Sequence, residues 1–121
     1  MPDPDARQAT VHNQQATVTY LPDLAGACPV KPGSIGHHTM QVQGARVVVL
    51  SFEAGAVLKD HRAPFPLLLH ALDGHLNVTA EGAEHSLQPG SLLHLKSSTL
   101  HAVRALEASR LCLVLLGAGP G

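Results

Sequence analysis

Residues 67–87, LLLHALDGHLNVTAEGAEHSL, decide the fold of this 121-residue chain. From Leu76 to Ala80 apolar and polar side chains alternate, which is the period-two pattern of a strand with one buried face. Glu81-Gly82 follows directly and predicts a tight turn between two antiparallel strands. This stretch therefore predicts a β-hairpin.

Short apolar or alternating runs, each bounded by Gly, Pro, Asp or Ser, also occur before and after this hairpin. No stretch of helical length has a convincing helical period. Short strands at close spacing, without helices between them, predict an all-β sandwich or small barrel. The predicted strand runs are 45–52, 67–72, 75–80, 91–95, 100–105 and 110–116.

Length and helix-breaking residues predict one domain in three parts, because 121 residues hold a single core. Residues 1–40 are predicted to be an N-terminal extension that is partly irregular and could add an edge strand. Pro and Gly recur between residues 22 and 36, which disfavours a long helix or a central strand there. Residues 41–117 form the predicted barrel, and residues 118–121 form a tail.

Composition argues against several classes of protein. Eight Lys and Arg against nine Asp and Glu leave no basic excess for nucleic acid, and three aromatic side chains offer little for base stacking. No apolar run approaches the roughly 18–20 residues that cross a bilayer. The Met-Pro-Asp-Pro-Asp start is unlike a secretory signal. We therefore expect a cytoplasmic protein that binds neither nucleic acid nor membrane.

Two histidines occur at spacings that resemble the two sequence motifs of the cupin family. Gly55, His61 and Gly74 fit the first motif, G(x)5HxH(x)3–4E(x)6G, while Gly90 and His101 fit the second, G(x)5PxG(x)2H(x)3N. Over about residues 41–116 the chain thus resembles a small single-domain cupin. Its His-Arg-Ala-Pro segment at 61–64 is similar to a subgroup of uncharacterised bacterial cupins with Ala at the second His position. The resemblance implies an all-β jelly-roll, or double-stranded β-helix, barrel that is often dimeric.

The resemblance also implies a metal site, but half of its ligand positions are apolar in this chain. The family's ligands are two His and a Glu of the first motif and one His of the second. Here these positions are His61, Ala63, Leu67 and His101. A divalent ion held by imidazole and carboxylate normally needs three protein ligands, and the missing carboxylate would leave its charge unbalanced. We therefore expect no cofactor; the alternative is a divalent metal (Zn, Ni, Fe or Mn) on the two histidines.

Strand alternation predicts which side chains face the barrel interior, because side chains two apart in a strand share a face. His61 and His101 are expected to lie at the mouth of a mostly aliphatic pocket, a composition typical of small-molecule sites. Alternation also places His70 outside. The predicted ligand pocket is lined by His61, Ala63, Leu67, Leu69, His101 and Val103.

Three interpretations of His61 and His101 remain open. They can be structural side chains hydrogen-bonded to backbone or water. They can bind a carboxylate or enolate ligand, with one acting as a general base, because an imidazole titrates near neutral pH. They can also hold a metal with help from water, Glu53 or His94, although strand parity places His94 on the outer face.

The favoured function is that of a cupin-domain protein that binds a small organic molecule and has a degraded metal site. The alternative is a metal-dependent cupin enzyme, of dioxygenase or isomerase type, that uses His61 and His101 as its candidate catalytic residues. Residues 111–116 are apolar at consecutive positions and need cover on both faces of their strand. Since one small domain offers little second cover, we expect a C2 homodimer.

Overall fold

The computed structural model of the chain describes residues 17–120, which form nine strands and no helix. Within these residues no helix is long and apolar enough to cross a lipid bilayer. The strands are β1 (Gly36–Val42), β2 (Ala45–Phe52), β3 (Val57–His61), β4 (Leu67–Asp73), β5 (Leu76–Ala80), β6 (Ala83–Leu87), β7 (Leu92–Leu95), β8 (His101–Ala105) and β9 (Ser109–Leu116).

The strands form two antiparallel sheets that enclose one core. The larger sheet has the order β1-β2-β9-β4-β7 and the smaller one the order β3-β8-β5-β6. The hairpin predicted at Glu81-Gly82 joins β5 to β6, with Ala80 opposite Ala83. The all-β prediction is confirmed. The core between the sheets is almost entirely aliphatic, with Phe52 as its buried aromatic side chain.

The burial pattern follows the alternation that the sequence predicts. In β4, Leu67, Leu69 and Ala71 are buried while His70 is exposed. In β7, Leu95 is buried and His94 is exposed. Inner side chains of both sheets interdigitate, which is how paired antiparallel sheets form a core.

The part of the N-terminal extension that is described packs against the larger sheet. Residues 17–35 contain no regular strand, and Cys28 is buried beside Ser51 of β2. β1 then forms one edge of the larger sheet and begins at Gly36, ahead of residue 41, where the barrel is predicted to start. Residues 1–16 of the predicted extension and residue 121 of the predicted tail lie outside the described residues.

An ion pair between Asp73 and Arg110 fastens this segment to the sheet. The Asp73 carboxylate accepts hydrogen bonds from the Arg110 backbone N–H at 2.8 Å, from Nε at 2.9 Å and from Nη2 at 2.6 Å. Arg110 Nη1 also donates to the carbonyl of Ala25 at 2.8 Å. Both side chains are partly exposed. The ion pair therefore stabilises the fold through its several well-placed hydrogen bonds and not through deep burial. It joins β4, β9 and the N-terminal segment at one point.

Gly74, directly after β4, provides a test of the packing at this point. Its φ is 77°, and an added Cβ would clash with Ser109 and the carbonyl of Ala108. At Gly82 φ is 76° and no atom lies within 4 Å of such a Cβ. Both Ala substitutions carry a backbone cost of about 1–2 kcal/mol. Gly74→Ala should lower the free energy of unfolding by a further 1–3 kcal/mol or so, because the clash involves backbone.

Urea unfolding of the Gly74→Ala and Gly82→Ala variants measures this difference directly. Equal losses of stability in the two variants would show that residues 108–109 do not pack against Gly74 as the structure has them.

Candidate functional site

The structure brings the two predicted histidines together where β3 and β8 pair. His61 and His101 are opposite each other in the strand register, and their ring centroids lie 4.2 Å apart with the ring planes tilted by 53°. His101 is only 2% exposed, whereas His61 is half-buried. The pair therefore has one ring in the core and one ring towards the surface.

An irregularity in β3 aims His61 at its partner. The register between β3 and β8 shifts between Leu58 and His61. Strict alternation would place these two residues, three apart, on opposite faces. Because the shift adds a residue, Leu58 packs against the core and His61 still contacts His101. Bulges of this kind commonly redirect a side chain next to a functional site.

Each imidazole is oriented by the backbone carbonyl two residues before it. His61 Nδ1 lies 3.2 Å from the carbonyl oxygen of Lys59, and His101 Nδ1 lies 2.9 Å from that of Thr99. A carbonyl oxygen only accepts hydrogen bonds, so both Nδ1 atoms carry the proton. In the neutral rings each Nε2 then has a free lone pair. Among residues 17–120 the rings bond only through Nδ1, and no fully buried polar side-chain atom there lacks a partner, so each free Nε2 keeps some contact with solvent.

The turn before β8 fixes the orientation of His101. Thr99 donates through its Oγ1 to the carbonyl of Lys96 at 2.8 Å, and the Ser98 N–H donates to the carbonyl of Ala63 at 2.7 Å. Arg62 reaches the Ser98 carbonyl with Nη1 at 3.1 Å. These bonds tie the turn to the residues that follow His61. The turn and the His61 segment are therefore held as one unit.

Burial lowers the pKa of His101 below its ordinary value of 6.5. The hydrogen bond to the Thr99 carbonyl opposes this shift, the positive charge of a protonated His61 adds to it, and the Asp60 carboxylate opposes it. Desolvation dominates because a charged imidazole loses its hydration in the core. At neutral pH His101 is therefore an uncharged acceptor at Nε2.

The surroundings of the pair are aliphatic. Leu67, Leu69 and Val103 lie in the closed core, and Ala63 packs against that core while remaining partly exposed. Of the six residues in the predicted pocket, His61 and Ala63 are thus the ones a ligand could reach first. A ligand that touched the three deeper side chains would have to displace core contacts.

The depressions described on the surface of residues 17–120 are lined by residues other than the two histidines. One of about 410 Å³ is lined by residues 33–35 and 53–57, one of about 440 Å³ by Val57, Lys59, Asp60 and Ala102, and one of about 180 Å³ involves Met40 and residues 21–24. Neither His61 nor His101 lines any of these three. A binding site at His61 and His101 is therefore indicated by the hydrogen-bonding chemistry of the two rings and not by a cavity.

The donor set does not fit the metal that the cupin resemblance implies. Two imidazoles are present, but the side chains of Ala63 and Leu67 have no atom that could bind an ion. Across residues 17–120 no three His, Cys, Asp or Glu side chains are grouped so that they could hold a metal. Glu53 instead accepts a hydrogen bond from the Gly33 N–H at 2.6 Å, and His94 is exposed on the outer face. Neither completes a three-ligand group with the pair.

Solved structures identify the class to which this fold belongs. A conserved protein of unknown function from Streptococcus pyogenes is 20% identical, with a TM-score of 0.73 over 88% of this chain and 92% of that one. A cupin superfamily protein from Desulfitobacterium hafniense is 17% identical, with a TM-score of 0.72 over 85% and 94% of the two chains.

An RmlC-like cupin protein from Desulfovibrio desulfuricans is 20% identical, with a TM-score of 0.73 over 83% of this chain and 98% of that one. The chain therefore has the cupin fold, a double-stranded β-helix, as its motif spacing predicts. No protein-family model matches the sequence. No curated protein is similar enough in sequence to count as a relative.

The groups that orient His61 and His101 are not predicted by the sequence. The carbonyl groups of Lys59 and Thr99, the Ser98 contact and the register shift in β3 carry no residue-type signal. The positive φ of 63° at Ser98 shows a strained turn at a position where the family's motif has Gly. The Gly that the family's motif has at position 98 could therefore have predicted a positive φ in this turn.

The lowered pKa of His101 predicts how stability depends on pH. The unfolded chain binds a proton at this residue more readily than the folded chain, so folding weakens as the pH falls below about 6.5. One such histidine contributes at most about 1.4 kcal/mol per pH unit in that window. His101→Asn does not titrate, and its amide can keep the hydrogen bond to Thr99.

Urea unfolding from about pH 7.5 down to about pH 5.5 should therefore show a steeper loss of stability for the wild type than for His101→Asn. His37→Asn, at an exposed position in β1, serves as the control and should follow the wild type. Parallel curves for wild type and His101→Asn would contradict a lowered pKa.

Proposed function

We propose that this cupin-fold chain binds a small, weakly acidic organic molecule through His61 and His101 and that its metal site is degraded. The observation that carries the proposal is the pair of adjacent imidazoles, each with Nδ1–H held by a carbonyl and Nε2 left without a partner among the described residues. A neutral Nε2 accepts a hydrogen bond from the O–H of a carboxylic acid, a phenol or an enol.

The acid proton can move from the ligand oxygen to an Nε2 atom, which leaves a carboxylate or enolate beside an imidazolium. Such charge-assisted hydrogen bonds are roughly twice as strong as neutral ones. Burial opposes a positive charge on His101, so the proton is placed on His61, the less buried ring. His101 then supplies a second, neutral contact. The aliphatic surroundings favour a ligand with an apolar body.

Two further predictions from the sequence concern the cupin subgroup and the cellular location of the chain. His61-Arg62-Ala63-Pro64 would place the chain in the cupin subgroup with Ala at the second His position. Cys28 and Cys112 are both free thiols, which fits the reducing cytoplasm. A cytoplasmic location and membership of that subgroup remain predictions.

Thermal unfolding with a panel of small carboxylic acids, phenols and enols tests ligand binding. A compound that binds only the folded chain raises the melting temperature progressively with its concentration. The increase should disappear in His61→Ala and His101→Asn and persist in the exposed control His37→Ala. If no compound shifts the wild type more than the two site variants, the site does not bind this class of ligand.

A second candidate, a metal-dependent enzyme, is favoured by one observation. Histidines that bind metals almost always donate the other ring nitrogen to a carbonyl or carboxylate, as both rings do here. The two-ligand set argues against it, because among residues 17–120 no third His, Cys, Asp or Glu side chain is grouped with the two imidazoles.

Elemental analysis of untagged protein, purified without added metal, separates the two candidates. We expect far less than one equivalent of Fe, Mn, Ni or Zn, with no difference between the wild type and His61→Ala. Near-stoichiometric metal that is lost in His61→Ala and kept in His37→Ala would overturn the degraded-site proposal and establish the metal-dependent alternative.

A further inference from the structure

The register shift in β3 also brings two charged side chains together on the smaller sheet. β3 pairs with β8 at Leu58 and again at His61. Between these pairings β3 has two residues, Lys59 and Asp60, whereas β8 has only Ala102. In a regular strand two consecutive side chains point to opposite faces, but in a bulge both oppose the same partner residue. Lys59 and Asp60 are both exposed, as this arrangement requires.

These two side chains line a depression of about 440 Å³ together with Val57 and Ala102, which we call the bulge depression. Val57 is 47% exposed, and Ala102 faces outwards because the residues before and after it in β8 are buried. The volume is in the range of small-molecule sites, roughly 300–1,000 Å³. The bulge depression therefore combines two aliphatic side chains with one positive and one negative charge.

Neither charge of the bulge depression has a partner within residues 17–120. The ion pair of these residues joins Asp73 to Arg110, and Lys59 takes part in a hydrogen bond there only through its backbone carbonyl. Lys59 and Asp60 do not pair with each other, although consecutive Cα atoms are only about 3.8 Å apart. Both charged groups are thus available to one ligand that carries two opposite charges close together.

A free α-amino acid has this chemistry, because its ammonium and carboxylate groups are bonded to the same carbon atom. A ligand with a carboxylate alone would be attracted by Lys59 and repelled by Asp60, and a ligand with an ammonium alone would meet the reverse. A zwitterion gains from both charges at once. The aliphatic side chains of Val57 and Ala102 favour an aliphatic side chain on the ligand.

We propose that the bulge depression binds a free aliphatic α-amino acid as its zwitterion. The ligand ammonium donates hydrogen bonds to the Asp60 carboxylate, the Lys59 ammonium donates to the ligand carboxylate, and the ligand side chain packs on Val57 and Ala102. Because both charges are exposed, each contact is weak, and the Kd is in the millimolar range. The bulge depression is separate from His61, so this binding does not depend on the proposed function.

Titration of the full chain with L-valine at neutral pH, followed in ¹H–¹⁵N correlation spectra, tests the proposal. The backbone amide signals of Val57, Lys59 and Asp60 should shift and saturate with a millimolar Kd. Two analogues isolate the contribution of each charge. 3-Methylbutanoic acid lacks the ammonium and 2-methylpropan-1-amine lacks the carboxylate, so each should bind at the bulge depression at least about threefold more weakly than L-valine.

Two charge-removing substitutions locate the ligand. Lys59→Gln and Asp60→Asn should each raise the Kd for L-valine at least about threefold. Lys96→Gln and Glu107→Gln remove the same kinds of charge at exposed positions outside the bulge depression and should leave the Kd unchanged. The same spectra show whether each variant is folded.

Several results would overturn the proposal. They are the absence of a saturable shift with L-valine, equal binding of either analogue, an unchanged Kd in both Lys59→Gln and Asp60→Asn, or an equal rise of the Kd in the two control variants. Loss of L-valine binding in His61→Ala, with binding kept in Asp60→Asn, would place the amino acid at the histidines and would also overturn it.

Discussion

The geometry of the candidate site depends on one irregular pairing, the register shift between β3 and β8 that separates Leu58 from His61. Without the extra residue, His61 would point away from the core and His101 would have no aromatic neighbour. In the smaller sheet Leu58 thus packs against the aliphatic core, and His61 lies beside the buried imidazole of His101. The hydrogen bond of Arg62 to the turn before β8 holds the two segments together.

The protonation of His61 and His101 and the charges around them determine which kind of ligand the two rings can bind. Both rings present an unprotonated Nε2, yet in the described part of the chain no carboxylate completes a three-ligand group with them, and Asp60 acts on His101 only through its charge. Desolvation lowers the pKa of His101 and makes a doubly protonated pair unfavourable. A ligand that brings its own proton and its own negative charge satisfies these conditions, whereas a bare dication does not.

Much of the fold could be predicted from the sequence because it depends on local pattern. The run 45–52 matches β2 residue for residue, and the alternation around His70 and His94 correctly places both outside. The sequence did not predict β3, because its register shift breaks the period of two and because Lys59 and Asp60 interrupt any apolar pattern. The contact between His61 and His101 was foreseeable from motif spacing. Their orientation was not, because it depends on the carbonyl groups of Lys59 and Thr99, and a backbone carbonyl has no sequence signature.

The most direct test of this account is the protonation state of the two rings, read from long-range ¹H–¹⁵N correlation spectra of the folded chain at slightly alkaline pH. The account predicts that both histidines carry the proton on Nδ1 and that both Nε2 atoms show the chemical shift of a free lone pair, unchanged when a chelator is added. A proton on Nε2 of either ring, or an Nε2 shift that the chelator alters, would contradict it.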